Sequence, residues 1–115
     1  RGPTVDVATL KTGARPMVTK ALLVRLEALP GKEKELADFL VGARSIVMDE
    51  PGTTAWFAIQ LGPSTFGVFD VFPDGEARDA HLAGGVGQAL GPNTGVLFAE
   101  PHIEKIDILA DKLPT

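Results

Sequence analysis

The stretch TFGVFDVFPDGEARDAHLA, residues 65–83, joins a strand to a helix and decides the fold of this chain. Its first part, Thr65–Phe72, is rich in aromatic and β-branched residues, which is typical of a strand. Asp74 is a suitable N-cap, because its carboxylate can accept a hydrogen bond from the first turn of a helix. The stretch therefore predicts a strand followed at once by a helix that begins at Gly75 or Glu76.

Further elements are predicted on both sides of this junction. Residues 19–28 and 53–61 are strand-like, and Gly62-Pro63-Ser64 has the composition of a hairpin turn before the strand at residue 65. Between the first two strands, apolar residues at helical spacing predict a helix of about four turns that ends near Asp49. These apolar residues are Leu36, Phe39, Leu40, Ala43 and Val47. A last strand is predicted at His102–Leu109.

Three glycines fall within four positions of the second helix, at Gly84, Gly85 and Gly87. Each glycine in a helix interior costs about 1 kcal/mol relative to alanine. We therefore expect this helix to be interrupted between Ala83 and Gly87, with a short second piece that ends at Gly91-Pro92.

The order strand, helix, hairpin, helix, strand predicts an α+β fold, a ferredoxin-like β-α-β-β-α-β sandwich. Its four-stranded antiparallel sheet would carry the helices on one face. The 115 residues have room for one domain, which we assign to residues 18–113, and residues 1–17 are interpreted as a flexible N-terminal arm. Nothing in the chain is left to cover the other, apolar face of the sheet. We therefore expect a homodimer that pairs sheet on sheet.

Composition and charge exclude several classes of function. The net charge of −4 argues against nucleic acid and against an anionic membrane as partners, and no apolar run approaches the roughly 20 residues of a membrane span. The chain has no cysteine, which excludes thiolate chemistry and suits a cytoplasmic protein. Its two histidines are far apart in sequence, and the glycines after Ala83 do not directly follow a strand. We therefore expect no metal site and no cofactor.

The segment FDVFPDGEARDAH, residues 69–81, resembles the strand-to-helix junction of the antibiotic biosynthesis monooxygenase family, within the dimeric α-β barrel superfamily. Members of that family typically show an aromatic residue at the end of strand three, an alanine five residues later and a histidine four residues after that. Phe72, Ala77 and His81 match these positions.

The resemblance extends over about Val18–Leu113, because Pro30-Gly31-Lys32 and Glu50-Pro51-Gly52 match further landmarks of the family. It implies a cofactor-independent monooxygenase that acts on a small aromatic or quinol-type molecule. The haem-degrading members are a poor match, since they place a tryptophan where His81 stands. The polyketide oxygenases use a tyrosine, which this chain lacks, and an asparagine where Gly52 stands. A non-catalytic dimeric domain that binds a hydrophobic metabolite is the alternative.

His81 is the candidate catalytic residue, because a neutral imidazole can accept a phenolic proton near pH 7. The alternative for His81 is a hydrogen bond to a backbone carbonyl or the cap of a loop. Trp56 and Phe72 are candidate substrate-binding residues for an aromatic ligand, and Trp56 is alternatively a residue of the core or the dimer interface. Arg25 is a candidate for binding an anionic group of the substrate, with Asp70 orienting His81. Alternatively, Arg25 and Asp70 are ion-paired across strands or across the dimer.

Two further interpretations concern residues that are not candidates for the site. Carboxylate pairs such as Asp49-Glu50 are interpreted as solvated helix ends. Phe69 and Phe72, three residues apart on one strand, must point to opposite faces of the sheet.

Overall fold

Seven helices and strands make up the fold in a computed structural model, which describes residues 17–114. Almost all of the predicted N-terminal arm, residues 1–16, lies outside the described residues. In chain order the elements are β1 (Lys20–Glu27), α1 (Glu33–Val47), β2 (Ala55–Gln60), β3 (Thr65–Phe72), α2 (Gly75–Ala83), α3 (Gly85–Asn93) and β4 (His102–Asp107). No helix within residues 17–114 is long and apolar enough to cross a membrane.

The four strands form one antiparallel sheet in the order β2-β3-β1-β4. The two central strands, β1 and β3, belong to different β-α-β units, as the ferredoxin-like topology requires. The sheet has two free edges, β2 and β4, so it is not a closed barrel. The predicted α+β class and the antiparallel ferredoxin-like sheet are confirmed.

The junction between β3 and α2 has the predicted geometry. The carboxylate of Asp74 accepts a hydrogen bond from the backbone N–H of Ala77, at 2.9 Å. The helix ends at Ala83, and Gly84 has extended backbone dihedrals (φ −83°, ψ −167°) before α3 begins at Gly85. The predicted interruption of the second helix is therefore confirmed, although α3 runs on to Asn93, just beyond its predicted end.

Alternation along the strands gives the sheet two different faces. On one face Trp56, Asp70 and Leu22 lie side by side across β2, β3 and β1. This is the helix side, where Leu26 on β1 packs with Leu36 of α1 in the main core.

The next row of residues, Phe57, Phe69 and Leu23, lies on the opposite face, which we call the open face. Phe69 lies on this face, whereas Phe72 lies on the helix side, as the spacing predicts. No helix within residues 17–114 covers the open face.

Candidate functional site

His81 lies in the last turn of α2, and its ring is only 7% exposed. The ring packs against Phe72 at the end of β3, with centroids 5.2 Å apart and planes inclined by 46°. Its Nε2 atom is 2.7 Å from Oδ2 of Asp70, which is fully buried on β3. The strand thus presents an acid and an aromatic ring, two residues apart, to the same imidazole.

The other ring nitrogen meets a second acid. Nδ1 of His81 is 2.6 Å from Oε1 of Glu50, and the Thr53 hydroxyl donates a hydrogen bond to the same oxygen at 2.7 Å. Glu50 follows the end of α1, and the turn at Pro51 and Gly52 brings it against α2. We refer to Asp70, His81, Glu50 and Thr53 as the His81 cluster.

The interpretation of Glu50 as part of a solvated helix end is wrong. Its side chain is 20% exposed, because the turn after α1 packs tightly on α2. A Cβ atom added to Gly52 would lie 3.1 Å from Cβ of Ala77, so a larger residue there would push Glu50 away from His81. The backbone-carbonyl alternative for His81 is also wrong, since its ring contacts two carboxyl groups, one of them in the loop after α1.

Burial and charge act in opposite directions on the cluster. Burial lowers the pKa of His81, but the hydrogen bonds to Asp70 and Glu50 outweigh it, so this pKa lies above its ordinary value of 6.5. Burial raises the pKa of Asp70 above its ordinary value, and the contact with His81 offsets only part of that effect. Oδ1 of Asp70 has no hydrogen-bond partner among residues 17–114, and Oδ2 lies 2.7 Å from Nε2 of His81 without being well aligned with a donor. The arrangement therefore holds a proton on the imidazole between two acids.

Two cavities meet at Glu50 and Thr53, which line both of them. The first, of about 450 Å³, also has Arg44, Val47 and Trp56 in its wall, and we call it the Trp56 cavity. The second measures about 330 Å³. Besides Glu50 and Thr53, its wall includes Gly52, Ala77, His81 and Gly84, and we call it the His81 cavity. Glu50 therefore forms part of the wall of both cavities.

The structure brings two of the four residues predicted for the site into contact and places a third on a neighbouring strand. His81 and Phe72 are in contact, and Trp56 lies in the same row of the helix side as Asp70. Arg25 lies on the open face, where its Nε atom is 3.9 Å from a carboxylate oxygen of Glu104 on β4. The structure therefore does not bring Arg25 to the His81 cluster.

The cross-strand ion pair considered for Arg25 is present, with Glu104 on β4, whereas Asp70 pairs with a residue of α2. Asp70 and Arg25 do not pair with each other, because they lie on opposite faces of the sheet. Asp70 instead contacts His81, as the orienting role considered for it requires, and Arg25 has a partner on the neighbouring strand. The cation that lines the Trp56 cavity is Arg44 of α1.

Reasoning from the sequence missed Glu50 and Thr53. They lie 31 and 28 residues before His81, in a loop whose path across α2 depends on tertiary packing. The only signal for them was the Glu50-Pro51-Gly52 landmark, which places a polar residue at a sharp turn.

Comparison with known proteins identifies similar solved structures, although no family model and no curated protein matches the chain. The NE2512 protein of unknown function from Nitrosomonas europaea is 54% identical, with a TM-score of 0.84, over 86% of this chain and 97% of that one. The "putative antibiotic biosynthesis monooxygenase" of Deinococcus radiodurans is 19% identical, with a TM-score of 0.70, over 84% and 98%.

A second "putative antibiotic biosynthesis monooxygenase", from Caulobacter crescentus, is 22% identical. The match covers 81% of this chain and 92% of that protein, with a TM-score of 0.67. At this level of identity the likeness shows the fold alone.

Proposed function

This chain belongs to the family of the Nitrosomonas europaea protein NE2512 and has an antibiotic biosynthesis monooxygenase-like fold, and from that premise we propose that it is a cofactor-independent monooxygenase of a small aromatic or quinol-type molecule. The observation that carries the proposal is the buried His81 cluster beside two cavities. A buried, charge-coupled imidazole in a cleft is typical of a site for proton transfer.

The reaction requires little from the protein beyond a cavity and a proton acceptor. A methylene group between phenolic rings loses a proton, and the resulting anion transfers electrons to O₂. One oxygen atom becomes a new carbonyl and the other leaves as water, so the substrate itself supplies all four electrons. The Trp56 cavity, of about 450 Å³, has the volume of a small-molecule site, and Trp56 provides an aromatic wall.

Oxygen uptake tests this proposal directly. The protein is first freed of metal and flavin and then mixed with an anthrone-like compound or a reduced hydroxyquinone. We expect it to consume O₂ faster than the same compound does in buffer without protein. The His81→Ala variant should lower the rate by about 10²–10⁴-fold, the usual contribution of general acid–base catalysis, because the His81 cluster loses its imidazole. The matched control is His102→Ala, because His102 is the other histidine and its side chain is exposed on β4. Traces no faster than buffer with every aromatic tested would contradict the proposal.

The alternative, a non-catalytic domain that binds a hydrophobic metabolite, is favoured by one observation: both nitrogens of His81 are already engaged. Trp56 distinguishes the two functions, because the chain has one tryptophan and no tyrosine. Its fluorescence therefore reports on the Trp56 cavity. Quenching by an aromatic ligand without any O₂ uptake would support the binding domain.

We further propose that two copies pair through the open face. Phe57 is 52% exposed there, beside Phe69 and Leu23, which is unusual for a face with no partner. Sedimentation equilibrium at micromolar concentration should show a dimer, consistent with a buried area of about 1,200–2,000 Å². Phe57→Asp should weaken it, whereas Ile103→Asp, at an exposed residue on the helix side of β4, should not. A monomeric wild type would contradict this proposal.

A further inference from the structure

We propose that Glu50, rather than His81, accepts the proton of the substrate hydroxyl or methylene, and that His81 and Asp70 are positioning residues behind it. This inference rests on the proposed function and assigns the roles within it. In this arrangement Glu50 faces the ligand, and His81 lies between Glu50 and Asp70.

The first step concerns the lone pairs of His81. Nδ1 is 2.6 Å from Glu50 and Nε2 is 2.7 Å from Asp70, so each ring nitrogen faces a carboxylate oxygen. Two carboxyl groups around one ring, together with the raised pKa of His81, favour a hydrogen atom on both nitrogens. An imidazole in that state has no lone pair with which to accept a proton from a ligand.

The second step concerns the two oxygens of Glu50. Oε1 accepts hydrogen bonds from the Thr53 hydroxyl and the His81 ring, whereas Oε2 accepts none from residues 17–114. Oε2 points toward the break between α2 and α3, where a Cβ atom added to Gly84 would lie 3.2 Å from it. Glu50 also lines both cavities. It is therefore the acid of the cluster with a free oxygen that a ligand can reach.

The third step concerns charge. The cluster contains two acidic side chains and one basic one, so the acids outnumber the base. A proton on Glu50 neutralises the cluster and leaves the His81–Asp70 pair intact. Asp70 offsets the positive charge of His81 and holds the imidazole in place beside Glu50. The other charged groups at the cavities are Arg44 of α1 and Asp49 of the following loop.

Glu50→Gln keeps the shape of the side chain and removes its basicity. With an active substrate, we expect O₂ uptake to fall about 100-fold or more, the lower end of what a general base contributes, while the affinity measured anaerobically by Trp56 fluorescence changes less than about threefold. Glu100→Gln is the matched control, since Glu100 is exposed in the loop before β4. Circular dichroism is used to check that both variants are folded. A Glu50→Gln variant with wild-type turnover would overturn the inference.

A second measurement does not depend on turnover. 4-Nitrophenol absorbs differently as phenol and as phenolate, so its spectrum reports whether the bound molecule has lost its proton. Wild type should bind it as phenolate at a pH where the free probe is protonated, and Glu50→Gln should bind it as phenol. Asp70→Asn should raise the pH at which the bound probe ionises, with a matching loss of affinity for its phenolate form.

The two measurements separate the two proposals. Ionisation of 4-nitrophenol by wild type without O₂ uptake from any substrate would end the monooxygenase proposal and support the role of Glu50. Equal ionisation by wild type and Glu50→Gln would overturn that role, even if the protein consumes O₂. A wild type that leaves 4-nitrophenol unbound or protonated would overturn it as well.

Discussion

The two faces of the sheet place charged side chains in opposite environments. On the helix side, Asp70 is fully buried and contacts an imidazole that has a second carboxylate on its other nitrogen. On the open face, Arg25 and Glu104 are both about half exposed and 3.9 Å apart. Both are contacts between a cation and an acid on neighbouring elements. Burial makes the Asp70–His81 contact a determinant of stability and chemistry, whereas water screens the charges of Arg25 and Glu104.

The largest effect is expected from His81→Ala. Removal of the imidazole leaves the buried Asp70 and the nearby Glu50 without the cation between them. Breaking a buried pair in this way costs about 3–5 kcal/mol. Urea unfolding near pH 6, monitored by Trp56 fluorescence, measures the loss. A loss below about 1 kcal/mol would place the cluster in the same class as the exposed pair.

Stability should also depend on pH. The pKa of His81 is raised on folding, so its contribution is complete below pH 6.5 and is lost as the pH rises through the higher pKa of the folded state. The raised pKa of Asp70 acts in the same direction, from its ordinary value of 3.8 upward. Each unit of difference between the folded-state and unfolded-state pKa of a group contributes about 1.4 kcal/mol to the free energy of unfolding.

The unfolding free energy of wild type should therefore fall as the pH rises above 6.5, and that of His81→Gln should fall less. Urea titrations at several pH values on both sides of this point give the two profiles. Parallel profiles for the two proteins would show that the imidazole makes no pH-dependent contribution.

Asp74→Ala tests whether the helix that carries His81 is held at its start. Loss of the hydrogen bond to Ala77 should cost about 1 kcal/mol, as is usual for an N-cap. Asp74→Asn, which keeps an acceptor, is the matched control and should cost much less. Equal losses in the two variants would argue against the cap.

The smallest effect is expected from Arg25→Ala. Exposed ion pairs contribute about 0–1 kcal/mol, and Arg25 does not touch the His81 cluster. Both the unfolding free energy and the rate of O₂ uptake should stay close to wild type. A large loss of activity would show that Arg25 reaches a site, which in this fold requires a second copy on the open face.

The fold could be predicted from the sequence because its signals are local. Asp74 begins α2, Gly84 ends it, and the apolar period of α1 is contained within one continuous segment. The orientation of Arg25 could also have been predicted from local pattern. Its neighbours on β1, Val24 and Leu26, both face the core, so alternation along the strand turns Arg25 away from the helices.

The His81 cluster could be predicted only in part. His81 and Phe72 belong to one continuous stretch of sequence, and so their proximity follows from the junction between β3 and α2. Glu50 joins them only because the loop after α1 folds over α2, a contact between distant parts of the chain. No periodicity or cap encodes that path, and the sequence around Glu50 has the pattern of a solvated helix end.

The interruption at Gly84 has an electrostatic consequence. Because α2 ends there, the backbone N–H of Gly84 bonds back to the carbonyl of His81, and the imidazole lies in the last turn of a helix. The aligned peptide dipoles give a helix a partial negative charge at its C-terminal end, which stabilises a nearby cation by about 0.3–1 kcal/mol. An uninterrupted helix through Gly84 would move that terminus to Asn93, about three turns away from the imidazolium.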